Sequence, residues 1–278
     1  MCDGNAMSTH SATLYLDRID AIVFDTDGVV TDTAREHAAA WKQTFDAFLL
    51  RHAKGTGEQP TVFDAHTDYL RYVDGRPRDE GVRSYLASLG ITLPETGGRD
   101  SIAALAEEKT QRFAAEINRH GVIAFPSSVD LLRELRQLGV PTAVVSSSRH
   151  CRDVLRAANV VDLFSVRVDG FDMERLGIKA KPEPGLFVEA AARLGVPVGR
   201  CAIIEDSLTG VEAGRRGAFG VVIGVDRHGD VCGEMYEHGA HVVVSSLADI
   251  SLVNPPQRGA SAPEGTTRTS SASTNANR

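Results

Sequence analysis

Apolar residues are concentrated in five short runs of the chain, and none of these runs alternates regularly with polar residues. The runs cover residues 20–27, 141–146, 200–206, 220–226 and 241–245. A strand covered on both faces needs apolar side chains at successive positions, whereas a half-exposed strand alternates. The pattern therefore predicts buried strands of the kind found in parallel sheets.

Helical patterns separate the strands in the second half of the chain. They lie at residues 128–138, 149–158, 183–194 and 209–216. Glycine follows several of these segments, at Gly139, Gly195 and Gly217, and glycine is the residue that most often ends a helix. Alternating strands and helices predict an α/β fold with a doubly wound, mainly parallel, Rossmann-like core sheet.

The stretch after the first predicted strand breaks this alternation. Helical patterns follow one another at 34–51, 78–89 and 101–119, with no convincing strand between them. Ligands bind at the carboxyl ends of strands in open α/β sheets, and an insertion at that point is well placed as a lid. We therefore interpret residues 33–120 as a helical cap inserted into a core of residues 17–32 and 121–254.

Composition and charge narrow the class of protein. The chain has 278 residues, 42% hydrophobic and 24% charged, with a formal net charge of −7 and a pI of about 5.7. This balance argues against a nucleic-acid module, which carries a basic patch. We expect a soluble cytoplasmic protein without a membrane partner, because no window resembles a leader or a membrane span. Residues 1–16 and 255–278 are predicted to be a flexible N-terminal tail and a disordered C-terminal tail.

Two carboxylates close the first predicted strand. Asp25 and Asp27 are two positions apart and followed by Gly28, so both side chains address one volume beside a sharp turn. Two unit negative charges about 4 Å apart repel by about 4 kcal/mol at an effective dielectric of about 20. A divalent cation and a phosphate ester would account for the pair, and turn residues in an Asp-Gly bend are the alternative.

Further polar residues lie at or near the ends of later strands. They are Ser146, Lys181, Glu205 and Asp206. A hydroxyl, an ammonium group and several carboxylates at one edge of a sheet can bind phosphate and Mg²⁺ together. Each residue has an alternative interpretation. Ser146 could be a turn serine, and Glu205 and Asp206 could cap the following helix. Lys181 could be a solvated loop lysine, with Lys179 in the predicted role instead.

Taken together, these positions resemble the four motifs of the haloacid dehalogenase superfamily. The segments TDTAREH at 31–37 and WK at 41–42 resemble the cap of its β-phosphoglucomutase-like group. The resemblance implies that Asp25 is the nucleophile that forms an aspartyl-phosphate and that Asp27 is the general acid and base. It implies that Ser146 and Lys181 bind the phosphate. The implied ligands of Mg²⁺ are Asp25, the backbone carbonyl of Asp27, Glu205 and Asp206.

The resemblance also implies contacts from the cap. His37 would meet the proton-transfer site, and Trp41 would be a packing or gating neighbour. Arg78 would clamp the phosphate that is not transferred, and Lys109 would contact a sugar hydroxyl or assist closure. A plain packing pair is the alternative for His37 and Trp41, and exposed helix-face charges are the alternative for Arg78 and Lys109.

Several positions of the sequence do not determine which substrate the protein would bind. Arg76 and Arg83 are alternatives to Arg78 as the residue that would bind the phosphate that is not transferred. The chain departs from the usual pattern of the group at Glu108, Thr110, Ser127 and His150. These departures affect the residues that would contact the sugar or its phosphate.

The resulting hypothesis is a Mg²⁺-dependent sugar phosphomutase that converts β-glucose 1-phosphate to glucose 6-phosphate through a bisphosphate. A phosphatase acting on a sugar phosphate or another small ester is the first alternative, and a non-catalytic binding domain on the same fold is the second. The expected partner is a small phosphorylated sugar, with no nucleic acid and no membrane. We expect a monomer or a weak dimer.

Overall fold

The computed structural model describes residues 11–57 and 59–254. Its strands are β1 (Ala12–Tyr15), β2 (Ala21–Asp25), β3 (Thr142–Val145), β4 (Val166–Val168), β5 (Cys201–Glu205), β6 (Val221–Val225), β7 (Val242–Val244) and β8 (Ile250–Val253). Of these described strands, six form one parallel sheet in the order β4-β3-β2-β5-β6-β7, and β1 pairs with β8. The strand order reverses between β2 and β5, and open α/β sheets bind ligands at such a point.

Successive residues of the central strand β2 point to opposite faces of the sheet. Ile22 and Phe24 pack into the core on one face, and Ala21 and Val23 pack into the core on the other. Both faces are covered, which explains why the strand reads as continuously apolar. The run ends at Asp25, so the first carboxylate emerges at the carboxyl edge of the sheet.

The cap follows β2. Its helices are α1 (Ala34–Thr56), a short π-helix (Tyr69–Val73), α2 (Arg78–Ser88) and α3 (Ile102–His120). They enclose an aromatic core, in which the ring of Phe45 lies 5.0 Å from Trp41 and 4.4 Å from Tyr85. Full burial of a side chain such as Phe45 contributes about 1.5–3 kcal/mol. The cap therefore has a hydrophobic core of its own.

In the described part of the chain, six α-helices cover the sheet of the core. They are α4 (Pro126–Gln137), α5 (Cys151–Ala157), α6 (Gly170–Leu176), α7 (Gly185–Leu194), α8 (Leu208–Arg216) and α9 (Cys232–His238). The start of α8 matters for the site, because the Ser207 hydroxyl accepts a hydrogen bond from the Gly210 amide at 3.1 Å. This cap fixes the backbone directly after β5.

Two linkers join cap and core, and they pair with each other. The first linker, residues 28–33, precedes α1, and the second, residues 121–125, follows α3. The Asp32 amide donates to the Ile123 carbonyl at 2.8 Å, and the Phe125 amide donates to the Val30 carbonyl at 3.0 Å. Both connections of the cap are therefore held side by side at the carboxyl edge of β2.

The predicted fold class is confirmed, while several short elements differ from the prediction. Residues 12–15 form strand β1, so the predicted N-terminal tail of residues 1–16 is wrong for this part. Residues 1–10 and 255–278 of the predicted tails lie outside the described residues. Strand β4 and helices α6 and α9 were not predicted, because segments of three to seven residues carry too little periodicity. The exact boundaries of cap and core stay a prediction.

None of the helices in residues 11–57 and 59–254 is both long enough and apolar enough to cross a membrane.

Candidate active site

A cavity of about 290 Å³ lies at the carboxyl edge of the sheet, between core and cap. Asp25, Ser146 and Glu205 reach it from the ends of the central strands, and His37 and Lys109 line it from cap helices α1 and α3. Phe113 of the cap and Val154 of the core belong to one buried apolar cluster close by. The cap is therefore in contact with the core, and it encloses the strand ends.

Lys181 connects two of the carboxylates. Its ammonium group donates to Asp25 Oδ1 at 2.6 Å and also contacts Glu205 Oε1. Burial alone would lower the pKa of Lys181, but the two carboxylates outweigh it and hold that pKa above its ordinary value. Lys181 therefore stays cationic, and the structure brings this lysine, rather than Lys179, to the acids.

Asp25 is nearly buried, with 6% of its surface exposed. Its second oxygen, Oδ2, accepts a hydrogen bond from the Asp27 amide at 3.0 Å. Burial raises the pKa of Asp25, Lys181 opposes the rise, and the carboxylates of Glu205 and Asp27 add to it. One oxygen of Asp25 is thus held by an ammonium group and the other by a backbone amide.

Three carboxylates form a candidate cation site. Ligand atoms of Asp25, Glu205 and Asp206 lie within 4.8 Å of one another. Burial raises the pKa of Asp206, and the neighbouring carboxylates raise it further, because negative charge here exceeds what Lys181 offsets. Mg²⁺ prefers oxygen ligands and would relieve this excess. The residues therefore fit a Mg²⁺ ion.

The carboxylates of this cluster are not equivalent. Glu205 is fully buried, and its Oε2 accepts hydrogen bonds from the Ser207 amide at 2.5 Å and the Ser207 hydroxyl at 2.9 Å. Its other oxygen contacts Lys181. Both oxygens of Glu205 therefore have protein donors, as both oxygens of Asp25 do. Asp206 is the carboxylate of this cluster that accepts no hydrogen bond from the described residues.

Asp27 is contacted from both sides of the cavity. The Thr33 hydroxyl donates to its Oδ1, and His37 Nε2 lies 3.4 Å from the same oxygen. From the core, the Ser146 hydroxyl donates to Oδ2 at 3.4 Å. Burial alone would raise the pKa of Asp27, but His37, Thr33 and Lys109 outweigh it and lower the pKa to about 2. Asp27 is therefore ionised at neutral pH.

The side chain of His37 connects Asp27 to Lys109. Lys109 Nζ lies 2.7 Å from His37 Nδ1, and the imidazole stacks on Phe113 with ring centroids 3.9 Å apart. Burial lowers the pKa of His37, and the Lys109 charge lowers it further. Burial also lowers the pKa of Lys109, to about 7. Lys109 is 7% exposed and lies 5.3 Å from the Trp41 ring, so the exposed-charge alternative for Lys109 is wrong.

The arginines of the cap differ in their surroundings. Arg78 lines the cavity, but its Nη1 donates to Thr110 Oγ1 at 2.5 Å and lies 3.6 Å from Glu107 Oε2. Arg76 lines the same cavity and forms no ion pair with a described residue. Arg83 pairs with Glu95 and is not among the cavity-lining residues of the described chain. Two cap arginines that line the cavity, Arg76 and Arg78, therefore remain as candidates for contact with an anion.

Comparison with known proteins decides the family. A family model described as haloacid dehalogenase-like hydrolase matches residues 19–217. The chain belongs to the haloacid dehalogenase-like hydrolases. A β-phosphoglucomutase of Mycobacterium tuberculosis is 39% identical over 241 residues, which cover 84% of this chain and 92% of that protein. A trehalose-phosphate phosphatase of Mycobacterium leprae is 33% identical over 141 residues, 50% of this chain and 31% of the relative.

A solved structure agrees with this assignment. The β-phosphoglucomutase from Clostridium difficile matches with a TM-score of 0.66 at 25% identity, covering 83% of this chain and 92% of the other. The predicted resemblance to the β-phosphoglucomutase-like group is therefore confirmed. This haloacid dehalogenase-like protein is an aspartate-nucleophile enzyme of the phosphotransferase and phosphatase type.

The haloacid dehalogenase-like fold brings all the predicted site residues to one cavity. They are Asp25, Asp27, His37, Trp41, Arg78, Lys109, Ser146, Lys181, Glu205 and Asp206. His150, at one of the unusual positions, lines the cavity as well. Ser127 is not among the lining residues of the described chain, although its neighbour Ser128 donates to the Val29 carbonyl at 2.6 Å.

Sequence reasoning missed several polar residues of this haloacid dehalogenase-like site. Thr33 lies in the segment that resembles the family, but no role was assigned to its hydroxyl. Tyr69 and Asp74 line the cavity from the π-helix and its end, and burial beside Glu205 raises the pKa of Asp74. Ser207 follows the strand that ends at Glu205, and its amide and hydroxyl both donate to that carboxylate. The strand-end signal could have found Ser207, but nothing in the linear pattern pointed to Asp74.

Proposed function

We propose that this enzyme is a Mg²⁺-dependent sugar phosphomutase that converts β-glucose 1-phosphate to glucose 6-phosphate. The observation that carries the proposal is the environment of Asp27. Its carboxylate is contacted by Ser146 of the core and by Thr33 and His37, which belong to the first linker and the cap. The contacts of this acid-base group are therefore complete only when the cap is closed on the core. Such an arrangement favours transfer in an enclosed site, which a mutase needs to protect its phosphoenzyme from water.

The first transfer starts from an aspartyl-phosphate on Asp25. The C6 hydroxyl of β-glucose 1-phosphate attacks that phosphorus, and the bond between phosphorus and the Asp25 oxygen breaks. Asp27 accepts the hydroxyl proton, because its carboxylate is ionised at neutral pH. The products are a glucose 1,6-bisphosphate, the free carboxylate of Asp25 and a protonated Asp27.

The second transfer regenerates the phosphoenzyme. The bisphosphate turns within the cavity, and Asp25 attacks the phosphorus attached through C1. The bond from that phosphorus to the sugar oxygen breaks, and Asp27 returns its proton to this oxygen. Glucose 6-phosphate leaves, and the aspartyl-phosphate and the ionised Asp27 are restored. Atoms and protons therefore balance over the cycle.

Residues of the core stabilise the negative charge of the phosphoryl group in both transfers. The Lys181 ammonium lies 2.6 Å from Asp25 and is positioned beside the oxygens of a phosphoryl group on that residue. The Ser146 hydroxyl is oriented by the Ser148 amide, which donates to it at 3.1 Å, and would donate to a phosphate oxygen. Mg²⁺ held by Asp25, Glu205, Asp206 and the Asp27 backbone carbonyl would neutralise the remaining charge.

Hydrolysis of a sugar phosphate is the second candidate function. It would use the same aspartyl-phosphate, with water in place of the sugar hydroxyl. Two observations favour it: Arg78 is engaged by Thr110 and Glu107, and one relative is a trehalose-phosphate phosphatase. The complete set of catalytic groups argues against the non-catalytic alternative.

Phosphorus NMR separates the two candidates. Purified enzyme is incubated with Mg²⁺, β-glucose 1-phosphate and a trace of glucose 1,6-bisphosphate, and the products are followed by ³¹P NMR. The mutase produces glucose 6-phosphate without matching inorganic phosphate, whereas mainly inorganic phosphate would reject the mutase in favour of hydrolysis. An Asp25→Asn preparation controls for contaminating phosphatases.

A further inference from the structure

Arg227, which lies just after β6, contacts both linkers of the cap. Its Nε donates to the Gly28 carbonyl at 2.9 Å, and its Nη2 donates to the Val29 carbonyl at 3.3 Å. Its guanidinium carbon lies 3.5 Å from the ring centroid of Phe125. Gly28 and Val29 begin the first linker, and Phe125 ends the second. One side chain of the core therefore holds both connections.

These contacts extend a network that already ties the linkers together. The Val29 carbonyl also accepts a hydrogen bond from the Ser128 hydroxyl at 2.6 Å. The Phe125 amide donates to the Val30 carbonyl at 3.0 Å. Arg227 differs from the other members because it comes from a distant part of the chain and reaches both linkers with one rigid, planar group.

The linker held by Arg227 lies directly against the candidate cation site. A methyl group placed on Gly28 would lie 1.6 Å from Oδ2 of Asp206, so the Gly28 backbone is packed onto this carboxylate. Burial lowers the pKa of Arg227, and the charges of Asp206 and Asp32 oppose that change. Movement of the Gly28 turn would therefore disturb Asp206 on one side and Asp27 on the other.

We propose that Arg227 is a positioning residue that fixes both cap linkers beside the cation site and thereby sets Asp27 and Asp206 for phosphoryl transfer. The consequence for transfer rests on the proposed function, whereas the effect on the linkers does not. The simpler view is that Arg227 only stabilises the fold, and this view predicts a general loss of stability with no selective change at the linkers.

The first test is hydrogen exchange followed by mass spectrometry in the absence of substrate. Arg227→Ala is compared with Arg216→Ala, a control arginine on α8 that pairs with Glu183 and Glu212 instead of the linkers. We expect exchange about ten-fold faster or more in peptides covering 28–33 and 121–125 of Arg227→Ala, with β3 and β5 unchanged. Arg227→Lys should be intermediate, because lysine keeps the charge but cannot bind two carbonyls and stack at once.

The second test measures cation binding and turnover. Mn²⁺ binding, followed by electron paramagnetic resonance, should weaken by about 10- to 100-fold in Arg227→Ala. This is the usual effect of removing a group that holds metal ligands in position. Hydrolysis of p-nitrophenyl phosphate should lose kcat by a similar factor, with KM changed less than about three-fold. Normal Mn²⁺ affinity in Arg227→Ala would overturn the role at the cation site.

The remaining outcomes also decide the proposal. Unchanged linker exchange in Arg227→Ala, or acceleration spread equally over β3 and β5, would reject it. If Arg227→Ala does not fold, Phe125→Leu removes the aromatic face and should accelerate exchange in 121–125 alone, and no such change would reject the proposal. If linker exchange and Mn²⁺ binding respond as expected while no glucose phosphate is turned over, only the proposed substrate fails.

Discussion

Lys109 Nζ lies 2.7 Å from His37 Nδ1. A protonated lysine can only donate, so this contact makes Nδ1 the acceptor and leaves the proton of a neutral imidazole on Nε2. That nitrogen lies 3.4 Å from Asp27 Oδ1. A residue of α3 thus sets the tautomer of a residue of α1, which in turn faces the general acid-base group of the core.

This relationship predicts a pH dependence. The pKa of Lys109 is lowered to about 7, so a rise in pH through that value removes the ammonium that orients His37. We expect kcat to fall on the alkaline side of this pH in the wild type. Lys109→Met should lower kcat by about 10- to 100-fold and abolish the alkaline fall.

The control for this prediction is Lys42→Met. Lys42 also belongs to the cap, but it is partly exposed and pairs with Asp46 at 2.9 Å. The pH profile of this variant should match the wild type. An alkaline fall that persists in Lys109→Met would assign it to another group.

A second prediction concerns the nucleophile. Asp25→Asn preserves the shape of the side chain but removes the nucleophilic oxygen, so turnover should fall by about 10⁴-fold or more. Labelling by ³²P-substrate, measured after acid quenching, should disappear. Asp153→Asn, an exposed aspartate of α5, should label normally. Covalent label that persists in Asp25→Asn would remove Asp25 from this role.

Much of the core and its site could be predicted because the decisive signals are local. Continuous apolar runs identified the strand that ends at Asp25 and the strand that ends at Glu205. Parallel strands share one carboxyl edge, so residues at their ends had to meet. Strand β1 escaped prediction because its burial alternates over only four residues, and its pairing with β8 has no local signature.

The support of the site was less predictable, because it depends on contacts between distant segments. Arg227 and Val29 are 198 positions apart. Because every residue has a backbone carbonyl, the residue type at position 29 does not indicate that this carbonyl accepts a hydrogen bond from Arg227. The burial of Lys109 follows from the packing of α3 against α1 and the core, which periodicity alone does not determine. For Arg78, the sequence placed a cation at the cavity but could not reveal its hydrogen bond with Thr110.

A third prediction tests the cap arginines with two substrates. Arg78→Ala should lower kcat/KM for β-glucose 1-phosphate by about 10- to 100-fold, as expected for loss of a charge-assisted hydrogen bond to the second phosphate. Hydrolysis of p-nitrophenyl phosphate should change by less than about three-fold, because that ester has no second phosphate.

Two further arginine variants complete this comparison. Arg83→Ala is the control, because Arg83 pairs with Glu95 away from the cavity, and neither activity should change. Arg76→Ala tests the other cap arginine that lines the cavity. Equal losses on both substrates in Arg78→Ala would contradict a clamp on the second phosphate, and a selective loss in Arg76→Ala alone would assign that role to Arg76.

The last prediction separates backbone strain from contact at the cation site. Gly28 and Gly57 have nearly the same left-handed backbone, with φ of +80° and +77°. Alanine at either position incurs a backbone cost of about 1–2 kcal/mol. A methyl group on Gly57 meets no described residue within 4 Å, whereas one on Gly28 would overlap the Asp206 carboxylate. The two variants therefore differ chiefly in what they do to Asp206.

Gly57→Ala should lower the free energy of unfolding by about 1–2 kcal/mol and leave Mn²⁺ affinity and turnover unchanged. Gly28→Ala should add to that loss a weakening of Mn²⁺ binding by about ten-fold or more, because Asp206 must move away from its present position. Urea denaturation measures the stability, and electron paramagnetic resonance measures the bound ion. Equal Mn²⁺ affinity in both variants would mean that Asp206 is not a ligand, because its displacement would then leave the ion untouched.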